Sequence, residues 1–160
     1  MTDFDRLLRV LADNHTEFIL VGGVAAAAHG SARATYDIDI VYARTRENVE
    51  RLVSALRPLE PYLRGAPPGL PFSWESGTIL RGLNFTLTTG AGDIDLLGEI
   101  TGGGTYDDLV ADTEVIEVFG VKCFCLSLER LIAVKRAAGR PKDLETIAEL
   151  EAIAEERKLV

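Results

Sequence analysis

Residues 18–42 read FILVGGVAAAAHGSARATYDIDIVY. The apolar run Phe18 to Val21 ends at Gly22-Gly23, which predicts a short strand stopped by a tight turn. Val24 to His29 is alanine-rich and helix-forming, and Gly30 is placed to close that helix. Tyr36 to Tyr42 alternates, with Tyr36, Ile38, Ile40 and Tyr42 on one face and Asp37, Asp39 and Val41 on the other. That is the period of a strand. A strand, a glycine-led helix and a second strand carrying two acids on one face therefore follow one another within 25 residues.

The acids set the chemistry. Two carboxylates two positions apart on a strand lie roughly 7 Å apart and repel each other unless a cation sits between them. Hard oxygen ligands of this kind suit Mg²⁺ or Mn²⁺, which take the rest of their shell from water and phosphates. Asp93-Ile94-Asp95-Leu96 repeats the pattern on a later strand. Asp95, with an apolar neighbour on each side, is the expected third carboxylate. Asp93 follows a glycine turn and reads equally as a strand-start residue. The plainer reading of Asp37 and Asp39 is a solvated acidic face on an edge strand. The plainer reading of Gly22-Gly23 is a turn glycine beside a packing glycine. The functional alternative is a helix start whose free N–H groups accept a phosphate that approaches the glycine backbone closely.

Working outward, Phe4, Leu7, Leu8 and Leu11 predict an amphipathic helix over residues 3 to 13, and Val49, Leu52, Val53 and Leu56 another that Pro58 ends. Residues 58 to 77 hold five of the six prolines and form an irregular excursion. Its Phe72 and Trp74 read as pins holding the loop to the body, or as a base-stacking pair. Strands follow at Leu83 to Thr88 and Asp93 to Leu97. Gly102-Gly103-Gly104 makes a loop, and a hairpin turns around Gly120. Ser127 caps a helix, and Pro141 starts the last one. The order predicts an α/β (α+β) fold over residues 1–160, a central mixed β-sheet flanked by helices, with the helical segment 127–156 packed on it.

The chain has 160 residues, is 47% hydrophobic and 26% charged, and carries a net charge of −8. An acidic surface repels polyphosphate at long range, which argues against a protein that coats nucleic acid electrostatically. No apolar run reaches the roughly 18 residues of a membrane span, and the acidic N-terminus is unlike a secretion signal. A cytoplasmic location without membrane association is the expectation. Cys123 and Cys125, with no His near in sequence, read as buried small hydrophobes rather than zinc ligands. His29 reads as a residue at a helix end.

The run Val21-Gly22-Gly23, thirteen residues, then Asp37-Ile38-Asp39-Ile40, with Ile94-Asp95-Leu96 later, resembles the signature of the polymerase-β-like nucleotidyltransferase superfamily. Leu128 to Lys135 followed by Gly139-Arg140-Pro141-Lys142-Asp143, with the run Arg33-Ala34-Thr35, is similar to the AbiEii-type branch. That branch includes toxins of bacterial toxin–antitoxin systems. The resemblance implies a nucleotidyltransferase fold and a nucleoside triphosphate substrate. It implies Mg²⁺ or Mn²⁺ on Asp37, Asp39 and Asp95, and nucleotide binding by Gly22, Gly23 and Lys135. It further implies phosphate contacts from Arg140 or Lys142, with Lys135 and Asp143 among the catalytic residues. The acceptor is left open between an RNA 3′ end, a protein hydroxyl and a small molecule, and an antitoxin is an implied partner. Two other classes fit some of these residues. One is a non-catalytic nucleotide-binding module that works with a partner protein. The other is a sugar transferase, which would not need the Gly-Gly turn or the third acid.

Overall fold

The computed structural model describes residues 1–159. Helix α1 (Phe4–Asp13) starts at Asp3, whose carboxylate accepts from the Arg6 N–H, and buries Leu7, Leu8 and Leu11. Strand β1 (Phe18–Val21) is buried throughout and runs directly into α2 (Gly22–Ala28). Strand β2 (Asp37–Tyr42) is followed by α3 (Arg46–Leu56), capped by Thr45. The proline-rich stretch then contributes a two-residue strand β3 (Tyr62–Leu63) and reaches α4 (Ser76–Arg81). Next come β4 (Asn84–Thr89), β5 (Gly92–Leu97), the short pair β6 (Glu99–Ile100) and β7 (Gly104–Thr105), and α5 (Tyr106–Leu109). Strands β8 (Thr113–Val118) and β9 (Val121–Leu126) form the expected hairpin. Helix α6 (Leu128–Ala138) ends at Gly139, and a 3₁₀ turn at Pro141–Asp143 leads into α7 (Leu144–Lys158).

Seven strands make one mixed sheet in the order β3-β4-β5-β2-β1-β9-β8. Strand β2 lies between β1, antiparallel, and β5, parallel. It is therefore an inner strand, and the edge-strand reading of Asp37 and Asp39 does not hold. Period-2 alternation splits the inner strands cleanly. Ile38, Ile40, Ile94 and Leu96 point into the core and are fully buried, while Asp37, Asp39, Asp93 and Asp95 share the opposite face. Tyr36, expected to anchor the apolar face, lies before the strand and is 78% exposed.

Local contacts hold the two acid strands in register. The Thr2 hydroxyl donates to the Tyr36 carbonyl and accepts from the Asp93 N–H, tying the starts of β2 and β5 together. Asn48, fully buried on α3, donates to the Glu17 and Ala43 carbonyls and accepts from the Glu17 N–H. The proline-rich loop is pinned as its aromatics suggested. Trp74 Nε1 donates to the Val53 carbonyl at 3.0 Å, and Phe72 packs edge-on to Tyr62. His29 is buried at the end of α2, with Nε2 2.7 Å from the Leu126 carbonyl oxygen. Cys123 and Cys125 are buried free thiols, and burial pushes them up to about 11 and about 12, so both stay protonated.

Candidate active site

The parallel pairing of β2 with β5 sets Asp37 opposite Asp93 and Asp39 opposite Asp95. Adjacent strands are roughly 4.8 Å apart, so four carboxylates crowd one patch of sheet. Asp37, Asp39 and Asp95 each offer an oxygen within 4.8 Å of the others. Asp93 lies outside that group.

Crowding and burial act on these groups together. Burial, then the charges of Asp37 and Asp95, push the Asp39 carboxyl up to about 8. Burial and the Asp95 charge also raise Asp37, against the pull of Arg64. Asp39 Oδ1 is buried without a hydrogen-bond partner. A buried carboxylate oxygen left unpaired costs free energy. Three convergent carboxylates with such an oxygen among them fit a hard divalent cation, which would satisfy the oxygen and offset the repulsion.

Gly22 has a role that the turn alone did not reveal. It sits at φ +66°, and a Cβ there would fall 2.0 Å from Asp39 Oδ2. The close approach that its missing side chain permits is made by the Asp39 carboxyl. At Gly23 a Cβ would fall 2.6 Å from Thr35 Oγ1, so that glycine lets the segment before β2 lie against α2.

Beside the acids a cavity of about 350 Å³ opens between the sheet and α6. Gly22, Asp39 and Asp95 line it at the sheet, Leu97, Leu131 and Val134 form apolar wall, and Lys135 and Arg140 add two cations. Gly23, Asp37, Lys142 and Asp143 are absent from its lining. The Lys135 side chain is only 13% exposed and lies 3.7 Å from Asp143 Oδ1. Arg140 Nε donates to Asp143 Oδ2 at 2.7 Å. Asp143, 6% exposed, therefore stands behind the two cations and holds them. Lys142 is exposed. Arg33, in the run before β2, pairs with Glu145 and Glu149 of α7. The Gly102–Gly104 loop packs on α6 beside Val134 and Ala137.

Arg64 is the site residue that sequence reading missed. Its guanidinium lies 3.6 Å from Asp37, 3.4 Å from Asp93 and 2.8 Å from Asp95. It follows β3, the edge strand one strand removed from β5, in the proline-rich stretch, and nothing in the local sequence marks it.

No protein-family model and no curated protein matches the chain. Among solved structures, the chain is similar to a Thermotoga maritima protein provisionally assigned as a nucleotidyltransferase. The TM-score is 0.57 at 17% identity, covering 90% of this chain and 87% of that one. The fold is the nucleotidyltransferase fold. Asp39 of β2, Asp95 of β5 and Gly22 at the start of α2 all line the cavity beside α6. Among the described residues no helix is long and apolar enough to cross a membrane.

Proposed function

We propose that the protein is a metal-dependent nucleotidyltransferase that moves a nucleoside monophosphate from a nucleoside triphosphate to an acceptor hydroxyl. The observation that carries this reading is the convergence of Asp37, Asp39 and Asp95 beside a cavity that also presents Lys135 and Arg140. Asp37, Asp39 and Asp95 would hold Mg²⁺ or Mn²⁺. A divalent ion there supplies charge neutralisation for the triphosphate and for the attacking and leaving oxygens.

The chain's own residues account for the rest. Lys135 and Arg140 face the cavity and offset phosphate charge, and Asp143 fixes where they stand. The acceptor oxygen bonds to the α-phosphorus as the bond from that phosphorus to the bridging oxygen breaks. Pyrophosphate leaves with that electron pair, and the hydroxyl proton passes to the Asp95 carboxylate. The apolar wall of the cavity leaves room for a base or sugar away from water. The residues at 128–135 and 139–143 support a place in the AbiEii-type branch, with a toxin role and an antitoxin partner, and the acceptor hydroxyl belongs to an RNA 3′ end, a protein or a small molecule.

The direct test is pyrophosphate release from each nucleoside triphosphate with Mg²⁺, in the presence of RNA, protein or small-molecule hydroxyl acceptors. Metal-dependent release with label appearing on an acceptor supports the reading. Binding of nucleotide without release under every acceptor condition would make the chain a binding module instead.

Two substitutions separate the roles of the cationic group. Lys135→Met is expected to weaken triphosphate binding about tenfold, one lost charge-assisted contact, while leaving Mn²⁺ binding alone unchanged. Calorimetric titration of each ligand checks this. Asp143→Asn keeps an acceptor for Arg140 but removes the charge that holds Lys135. It is expected to cost about 1 kcal/mol, or about 3 °C of melting temperature, with a modest loss of triphosphate affinity. An unchanged melting temperature with transfer abolished would make Asp143 a reacting acid instead.

A further inference from the structure

Arg64 is, among the described residues, the one cation within ion-pair distance of Asp37, Asp93 and Asp95. Its shortest contact with the acids is Nη2 donating to Asp95 Oδ1 at 2.8 Å, a charge-assisted bond. That carboxylate belongs to the same three that converge for a divalent ion. A guanidinium and a divalent cation on one carboxylate group repel each other strongly in a partly desolvated setting.

We propose that Arg64 is the resident counter-ion of the acid face and competes with the divalent cation for Asp95, so that metal loading requires its guanidinium to withdraw. This rests on the metal reading of Asp37, Asp39 and Asp95 given above. The anchoring of Arg64 permits such an exchange. Nε and Nη2 also donate to the Leu87 carbonyl, at 3.2 and 2.7 Å, so the guanidinium can swing its Nη2 away from Asp95 about Nε, which keeps the Leu87 carbonyl as a partner. Its side chain is 26% exposed, leaving a path toward solvent. Arg64 itself leaves a strand of only two residues and precedes Gly65, around whose Cβ position nothing lies within 4 Å. In the metal-free protein the arginine offsets the mutual repulsion of the acids. In the loaded protein it is free to meet the phosphate charge that arrives with the nucleotide.

The test titrates Mn²⁺, without nucleotide, into the wild type, Arg64→Gln and Arg64→Lys. Arg64→Gln should bind Mn²⁺ about tenfold tighter, melt lower without metal, and gain more melting temperature from saturating Mn²⁺. Arg64→Lys, which keeps the charge but loses the bridging fork, should fall between. In the wild type, the Arg64 Nε–Hε NMR resonance should move on adding Mg²⁺, a readout that does not depend on any variant folding. Equal or weaker Mn²⁺ binding by Arg64→Gln, or an unmoved resonance at saturating Mg²⁺, overturns the competition while leaving the metal site standing. Absence of Mn²⁺ binding in all three proteins overturns the metal site and this proposal together.

Discussion

Asp39→Asn is expected to abolish metal-dependent pyrophosphate release, by about 1000-fold or more, while making the metal-free protein more stable at pH 8. Both effects come from one carboxyl. Asp39 shares a face with Asp37, stands opposite Asp95, and has a buried oxygen without a partner. Burial and its two acid neighbours push it up to about 8, from an ordinary 3.8. The folded chain therefore holds a proton that the unfolded chain gives up above about pH 4. Between the two values the unfolded state binds fewer protons, so stability falls as pH rises. The stabilising contribution is whole below the ordinary carboxyl value and is lost as pH climbs through about 8. An asparagine has no charge to desolvate, and its amide can donate to the neighbouring carboxylates. The difference in melting temperature, variant minus wild type, should grow from pH 5 to pH 8 and reach about 5 °C, on the order of 2 kcal/mol. Thermal melts across that range without metal, paired with a pyrophosphate assay, check both halves. A variant less stable than wild type at pH 8 would mean that Asp39 makes a structural bond, and the metal reading of the site would fall.

Gly22→Ala should be the most damaging single methyl in the site. Its backbone is left-handed, which costs a non-glycine residue about 1–2 kcal/mol, and the new Cβ would lie 2.0 Å from Asp39 Oδ2. Either Asp39 or the start of α2 must move, adding about 1–3 kcal/mol of overpacking. The expected sum is about 3 kcal/mol. Because the displaced group is a proposed metal ligand, transfer should fall about 100-fold in whatever protein remains folded. Denaturant unfolding of Gly22→Ala, Asp39→Ala and the double variant separates the two contributions. With the carboxyl gone, the collision disappears and the left-handed penalty stays, so the double variant should recover roughly half of the loss. Strict additivity of the two single changes would mean that Gly22 and Asp39 do not meet as described.

By itself the sequence determined what depends on short-range periodicity. Alternation over residues 37–42 and 93–97 put acids on one face and Ile38, Ile40, Ile94 and Leu96 on the other, because a strand turns its side chains with period two. The glycine pair marked the strand-to-helix turn, since a left-handed residue there excludes most side chains. The aromatic pins at Phe72 and Trp74, the buried cysteines and the capping serine were legible for similarly local reasons. Only the tertiary structure decided which strands are neighbours. The parallel register of β2 and β5 brings Asp39 beside Asp95, and it is set by the whole sheet and by ties such as Thr2. The same holds for the partner that fills the space at Gly22, for Asp143 standing behind Lys135 and Arg140, and for Arg64 reaching the acids across β4 from the edge strand β3. Each of these joins residues distant along the chain or separated by a turn of irregular backbone. No local period carries such a contact. It exists only once the core has packed and the strands are fixed in order.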